Sequence, residues 1–248
     1  MRKETEGLIL TEMSVGDKDR LVTVLTRDSG VLRCFVRGAK NQRSRTFYAT
    51  QTLCYSRLSI FQRKDSYVID EAEVIRMFYD VRKDIEQLAL AQYFCELARF
   101  AVPENVDSSW QLSLVLNCLY YLPLGTKPLL QIKTAFEIRM MISLGYYPNI
   151  LYCAGCGCYE ADEMFFSPDE NKLLCAGCKG GSTGMLPLSR GAIMSFRYIM
   201  VAEKKKFLSF KASQQTLEEL SRCTEGFVMN TFHKSFSALD FYNQVRTK

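Results

Sequence analysis

Four cysteines in two close pairs constrain this chain more than any other feature. Cys153 and Cys156 stand in Cys-Ala-Gly-Cys-Gly, Cys175 and Cys178 in Cys-Ala-Gly-Cys-Lys, with eighteen residues between the pairs. Two C-x2-C pairs at this separation are the pattern of a four-thiolate zinc site. Each pair needs a tight turn, and the interleaved glycines let backbone amides turn in toward the sulfurs. Four thiolates fill a tetrahedral Zn2+ and leave no position for water or substrate, so the expected ion, one per chain, is structural. Reduced cysteines, or two redox pairs, are the competing readings. A redox Cys-x-x-Cys normally occurs once, in a βαβ context that this sequence lacks. Cys158 is an alternative to Cys156 as ligand; Cys156 is favoured because its spacing mirrors that of the second pair.

A length of 248 residues suits one large domain or two to three small ones, and an apolar fraction of 48% supports a real core. The remaining cysteines, Cys34, Cys54, Cys95, Cys118, Cys158 and Cys223, are scattered, mostly inside apolar runs, where a free thiol acts as a small buried hydrophobe. Met1 is followed by Arg2, Lys3 and Glu4 with no apolar h-region, and no apolar run reaches the ~18 residues that span a bilayer. The expectation is a soluble protein of a reducing cytoplasm, with no membrane partner. The net charge of +5 is mild, but its distribution is not: no acidic residue lies between Asp28 and Asp65. That stretch holds Arg33, Arg37, Lys40, Arg43, Arg45, Arg57, Arg63 and Lys64, a one-sign surface that attracts polyanions.

Residues 1–80 read as β. Short segments at 6–13, 20–26, 31–36, 53–61 and 67–74 are rich in β-branched and aromatic residues, with turn signals between them. Five short strands suit a small closed barrel, the OB-fold first and an SH3-like barrel second. The polar loop from Arg37 to Arg45 leads into Phe47 and Tyr48. Cations follow a phosphate backbone while aromatic rings stack on bases, so a single-strand-binding surface is expected on Arg33, Arg37, Lys40, Arg43 and Arg45. Barrel core is the competing place for the two rings. Five such contacts would make log affinity fall with log salt at a slope of about −3 to −4, from ~0.7 per contact.

From about Asp80 the period becomes helical. Asp84 caps a helix stopped by Pro103; Asp107 or Ser108 caps a second, stopped by Pro123; a third opens near Pro128 and ends at Gly145. After the cysteine module, Ser189 caps a segment through Lys204, and Ser213 caps another to about Phe232. The expected class is therefore multidomain β + α: an OB-fold barrel at 1–80, a helical domain at 81–149 and 186–248, and a four-cysteine zinc module at 150–185 inserted in it.

This order resembles the RecO family of bacterial recombination mediators of the RecF pathway, and local matches run nearly the whole length. Gly7-Leu-Ile-Leu with Asp19-Arg-Leu-Val-Thr-Val-Leu-Thr26 is similar to the family's opening strands, and Arg37-Gly-Ala-Lys40 with Ser44-Arg45 to its basic loop. Gly145-Tyr-Tyr-Pro148 running into Cys153-Ala-Gly-Cys-Gly157 is the most specific match. His233-Lys-Ser-Phe-Ser-Ala-Leu239 matches the closing stretch in part, with fewer basic residues. The resemblance implies binding to single- and double-stranded DNA and annealing of complementary strands. It also implies partnership with RecR and the C-terminal tail of SSB, help to RecA in displacing SSB, and a place near the nucleoid.

No catalytic chemistry is expected. The single histidine, His233, reads as a surface or capping residue, and no G-x-x-x-x-G-K-[ST] phosphate loop is present. Asp70, Glu71 and Glu73 lie along a predicted strand, and two carboxylates on its exposed face read as solvated rather than as a magnesium site. A groove for an acidic, apolar peptide tail would need cations around apolar residues, as Phe196, Ile199 and Met200 with Arg197 and Lys204 to Lys206 offer; core packing is the favoured reading of those apolar side chains. A zinc-ribbon adaptor whose barrel binds protein is the alternative function, separable by DNA affinity. A thiol–disulfide enzyme is a third, and would need a reactive thiol free of metal.

Overall fold

In a computed structural model, the described residues are 2–39, 41, 45–63 and 66–246. The chain forms two compact units, 1–124 with 236–248, and 125–235. The first begins with β1 (Arg2–Val15), β2 (Asp19–Thr26), β3 (Val31–Val36), the short helix α1 (Arg45–Ala49), β4 (Cys54–Gln62) and β5 (Tyr67–Met77). These strands close into a barrel in the order β1-β2-β3-β5-β4, that of an OB-fold rather than an SH3-like barrel. Alternation puts Ile9, Val22, Val24, Cys34, Leu58 and Ile69 inside. Cys34 and Cys54 behave as the small apolar residues that their surroundings suggest, and burial pushes the Cys34 thiol up to about 12.

The barrel closes through a short parallel pairing of Cys34, Phe35 and Val36 with Tyr67, Val68 and Ile69. Beside this closure α1, which the basic loop concealed in the sequence, is held by Arg20, the β2 partner of Val36. The Arg20 guanidinium is buried; its Nη1 donates to the Phe47 carbonyl at 3.0 Å and to Thr50 Oγ1 at 3.2 Å, and pairs with Glu12 at 3.0 Å. It also lies 5.0 Å from the Phe47 ring centre, so Phe47 is half-buried while Tyr48 stays exposed.

A 3-10 turn (Tyr79–Lys83) leads to α2 (Ile85–Ala101) and α3 (Ser109–Tyr121). Asp84 caps α2 by accepting from the Gln87 N–H at 2.9 Å, as the sequence indicates. Before α3, Asp107 accepts from the Ser109 N–H, while the Ser108 hydroxyl donates to the Thr26 carbonyl of β2. Gly30 makes this junction possible: its φ is +67°, and a Cβ there would lie 1.8 Å from the Pro103 carbonyl oxygen.

The second unit holds α4 (Leu129–Ser143), then β6 (Met164–Ser167), β7 (Lys172–Cys175), α5 (Ala176–Lys179) and β8 (Leu186–Leu188), then α6 (Arg190–Val201) and α7 (Gln214–Phe232). The three strands form an antiparallel sheet in the order β7-β6-β8; at three to four residues each, they carry too little alternation to be read from sequence. Ser189 and Ser213 cap α6 and α7 as expected, but α6 ends at Val201, where Ala202 turns to an extended backbone. His233 takes a left-handed conformation as the C-cap of α7. The closing helix α8 (Ser237–Val245) packs on α2 in the first unit, where Glu96 accepts from the Ser237 and Ala238 N–H groups at its start.

Almost every residue of α4 is buried, charged ones included. Lys133 Nζ reaches Glu137 at 3.0 Å, Glu225 of α7 at 2.9 Å and the Ser221 hydroxyl at 3.2 Å. Thr224 donates to the same Glu137 carboxylate, so the buried cation and anion are satisfied across two helices. Burial holds the Glu137 carboxyl above its ordinary range against the pull of Lys133. Lys133→Met should strand that carboxylate and lower stability by about 3–5 kcal/mol in urea unfolding at neutral pH; a loss below about 1 kcal/mol would show that the network does not hold α4 to α7.

Candidate functional site

The cysteine module is built from the loop before β6, the end of β7 and the short helix α5. Cys153, Cys156, Cys175 and Cys178 bring their sulfurs within 4.8 Å of one another, the one group of metal-ligating side chains of this kind among the described residues. Cys156 and Cys175 are 3.7 Å apart at sulfur. A tetrahedron with Zn–S bonds of about 2.3 Å has edges of about 3.8 Å, so the four sulfurs fit such an ion. The local backbone explains the convergence. The Cys153 N–H donates to the Cys158 carbonyl at 2.8 Å, the Gly157 N–H donates to the Cys153 carbonyl at 2.8 Å, and the Cys175 N–H points at Cys153 Sγ at 3.3 Å. Gly155 admits the second pair, since a Cβ there would lie 2.8 Å from both Cβ and Sγ of Cys178.

Burial alone would raise the Cys153 thiol. Backbone N–H groups of Cys156, Cys175 and Gly155 outweigh it and bring Cys153 down to about 6. Its neighbours Cys175, Cys156 and Cys153 push Cys178 up to about 12. Four sulfurs this close cannot all ionise alone, and a divalent cation lifts that conflict. Cys158 is not one of the four whose sulfurs all lie within 4.8 Å, but its thiol faces Cys156 and Cys175, which push it up to about 12, and its carbonyl is part of the turn that shapes the group.

One side chain missed as a site feature by sequence reasoning fixes this loop. Arg197 of α6, which the sequence offered only as one possible cation beside a disfavoured apolar groove, is 6% exposed. Its Nε donates to the Ile150 carbonyl at 3.0 Å, and Nη2 donates to the carbonyls of Leu151 at 2.7 Å and Tyr159 at 2.9 Å. The Tyr159 ring lies 3.9 Å from the guanidinium carbon. One planar cation thereby ties together both ends of the loop that carries Cys153 and Cys156. Phe196 and Ile199 beside it are core, in line with the favoured reading of those side chains.

A second arrangement lies on the barrel. A groove of about 1390 Å³ crosses the outer face of β1, β2 and β3. Register explains its floor: Met13 lies opposite Leu21 and Leu21 opposite Phe35, while Thr11, Thr23 and Arg33 form the next row. Met13 is 56% and Phe35 40% exposed, an apolar row open to solvent. Arg33, Arg63 from the β4–β5 connection and Arg99 of α2 supply cations along it. Tyr67 donates to Glu104 at 2.7 Å, and that hydrogen bond raises the phenol's pKa.

Of the basic residues singled out in the sequence, Arg33 lines this groove and Arg37 is exposed in the turn after β3. Arg45 opens α1. Lys40, Arg43 and the side chain of Arg45 lie outside the described residues. Arg63 and Arg99 join the site through barrel closure and the packing of α2, which no local pattern reveals. The carboxylates of Glu71 and Glu73 instead pair at the surface with Arg2 and Arg57, each at 3.2 Å.

Comparison with known proteins adds an independent line. The model described as recombination protein O N terminal matches residues 1–78, and that for recombination protein O C terminal matches 82–237. The DNA repair protein RecO of Acetivibrio thermocellus is 33% identical over 238 residues, covering 96% of this chain and 95% of that protein. A protein of the same name from Dehalococcoides mccartyi is 28% identical over 244 residues, covering 98% and 96%.

Arg197→Lys keeps the charge but cannot span three carbonyls. Loaded with Co2+ as a spectroscopic probe of four-sulfur coordination, this variant should bind metal at least about tenfold more weakly, with unchanged helical content. Affinity equal to that of the parent would show that the loop holds its shape without Arg197.

Proposed function

The chain belongs to the RecO family of DNA repair proteins, and we propose that it acts as a recombination mediator that binds single- and double-stranded DNA and anneals complementary strands. In this reading it works with RecR and helps RecA onto single strands covered by SSB, whose C-terminal tail it contacts. The observation that carries the DNA-binding part is the groove over β2 and β3. OB-folds take oligonucleotides on that face, between the β1–β2 and β4–β5 connections. Here the face offers an exposed Phe35 for stacking and Arg33, Arg63 and Arg99 for phosphates, and Arg37, Lys40, Arg43 and Arg45 are further candidates by charge in the sequence.

Annealing needs a surface that screens two phosphate backbones and leaves bases free to pair, so the mediator acts without catalytic chemistry. Zn2+ is the metal of the cysteine module, one per chain, held by Cys153, Cys156, Cys175 and Cys178. When bound, it locks the 150–185 module and leaves no coordination position open. Residues 1–80 serve as the DNA-binding domain, and α4, α6 and α7, which share a compact unit with the cysteine module, carry it. Among the described residues no helix is long and apolar enough to cross a membrane, in keeping with action on DNA in the bacterial cytoplasm at the nucleoid.

Replacing Arg33, Arg63 and Arg99 together by Gln should weaken single-strand binding and reduce the slope of log affinity against log salt by about 2, from ~0.7 per lost contact. An unchanged slope would place the phosphates elsewhere. Cys175→Ser should lose stoichiometric zinc and open the module to proteolysis, because structural zinc binding is folding free energy. Retained zinc at one per chain would point to Cys158 as a substitute ligand.

A further inference from the structure

The groove uses one end of β5, and the other end carries a second set of exposed rings and cations. Tyr48 of α1 is 48% exposed, Tyr79 of the 3-10 turn 42%, and Tyr120 of α3 40%. Two arginines stack on this group. The Arg76 guanidinium lies 4.7 Å from the Tyr120 ring centre and 5.2 Å from that of Phe78, and Arg82 lies 5.6 Å from that of Tyr79. Hydrogen bonds fix the framework: Tyr79 donates to Gln51, and Arg82 donates to the Thr52 carbonyl at 3.2 Å. The rings are therefore held in place rather than free to collapse onto the barrel.

Charge tells what such a face would take. The nearby Asp80 is paired with Lys83 at 2.7 Å, and among the described residues Arg76 forms no ion pair. Arg76 and Arg82 thus leave a local excess of positive charge beside three partly exposed rings, two of which already carry a guanidinium on one side. Phosphates need the first and bases the second, the same pairing of groups that lines the groove. The rings and arginines of this face lie toward the opposite end of β5 from Tyr67, and the two places adjoin at Glu12 of the groove, which accepts from the N–H of Thr52, the residue whose carbonyl takes Arg82.

We propose that the face formed by Tyr48, Arg76, Tyr79, Arg82 and Tyr120 binds a second single strand of nucleic acid, apart from the strand in the groove. The proposal rests on the annealing function above and gives it a physical route. Two strands held on one molecule meet at a raised effective concentration, with no need for a chemical step.

The test counts strands. Native mass spectrometry of the full chain would use oligothymidine of about ten nucleotides, within the ~4–16 nucleotide site of one such barrel. The wild type should take up two strands. The groove variant Arg33→Gln/Arg63→Gln and the face variant Tyr48→Ser/Arg76→Gln should each take up one. In the face variant the affinity for the remaining strand should hold while annealing falls at least about tenfold, at the low end for loss of a second linked site. Photocross-linking with iodouracil-substituted oligothymidine should label peptides containing Tyr79 or Tyr120. One strand on the wild type, or unchanged uptake and annealing in the face variant, overturns the proposal and leaves this face to a protein partner. No strand on the wild type overturns the DNA-binding function itself, a separate outcome.

Discussion

Three residue pairs of parallel strand hold the functional surface together. Where Cys34, Phe35 and Val36 meet Tyr67, Val68 and Ile69, the barrel closes. Closure buries Cys34, Val36 and Ile69 in one core. It also sets Phe35 and Arg33 beside Arg63 and Tyr67, about thirty positions further along the chain. Without it β3 would be an open edge, and the row from Met13 through Leu21 to Phe35 would end in solvent rather than against a basic wall. Arg20, the β2 partner of Val36 in that closure, holds α1 beside it, where Ala49 and Thr50 are buried.

The second unit relies on buried cations used as fasteners. Lys133 joins α4 to α7 through Glu225 and Ser221 while pairing with Glu137 of its own helix, and Arg197 joins α6 to the cysteine loop through three carbonyls. The two differ physically. Lys133 neutralises buried charge, so it matters once a partner is stranded. Arg197 satisfies backbone oxygens that a folded loop would otherwise leave without donors, so it shapes the loop with or without an ion. A metal arriving at the four sulfurs meets a turn already bent toward it.

Much of this was legible because it is written locally. The cysteine spacing, the five strand segments and the caps at Asp84, Ser189 and Ser213 each depend on residues within a few positions of one another. What was hidden depends on distance or brevity. Helix α1 has five residues and follows a basic loop; β6, β7 and β8 have three to four. Arg63 and Arg99 become groove residues only after closure and helix packing. The role of Arg197 stayed hidden because a helix pattern shows which face carries charge, not whether carbonyls of another loop wait there. Phe47 and Tyr48, adjacent in sequence, divide between half-buried and exposed because one guanidinium covers the first.

Backbone hydrogen exchange of the full chain, with and without saturating single-stranded DNA, tests the central claim most directly. The account predicts slowed exchange in β2, in β3 and around Arg63 when the strand is added, with the β6–β8 sheet unaffected. Slowing confined to the β6–β8 sheet or to α6, with β2 and β3 unchanged, would contradict it.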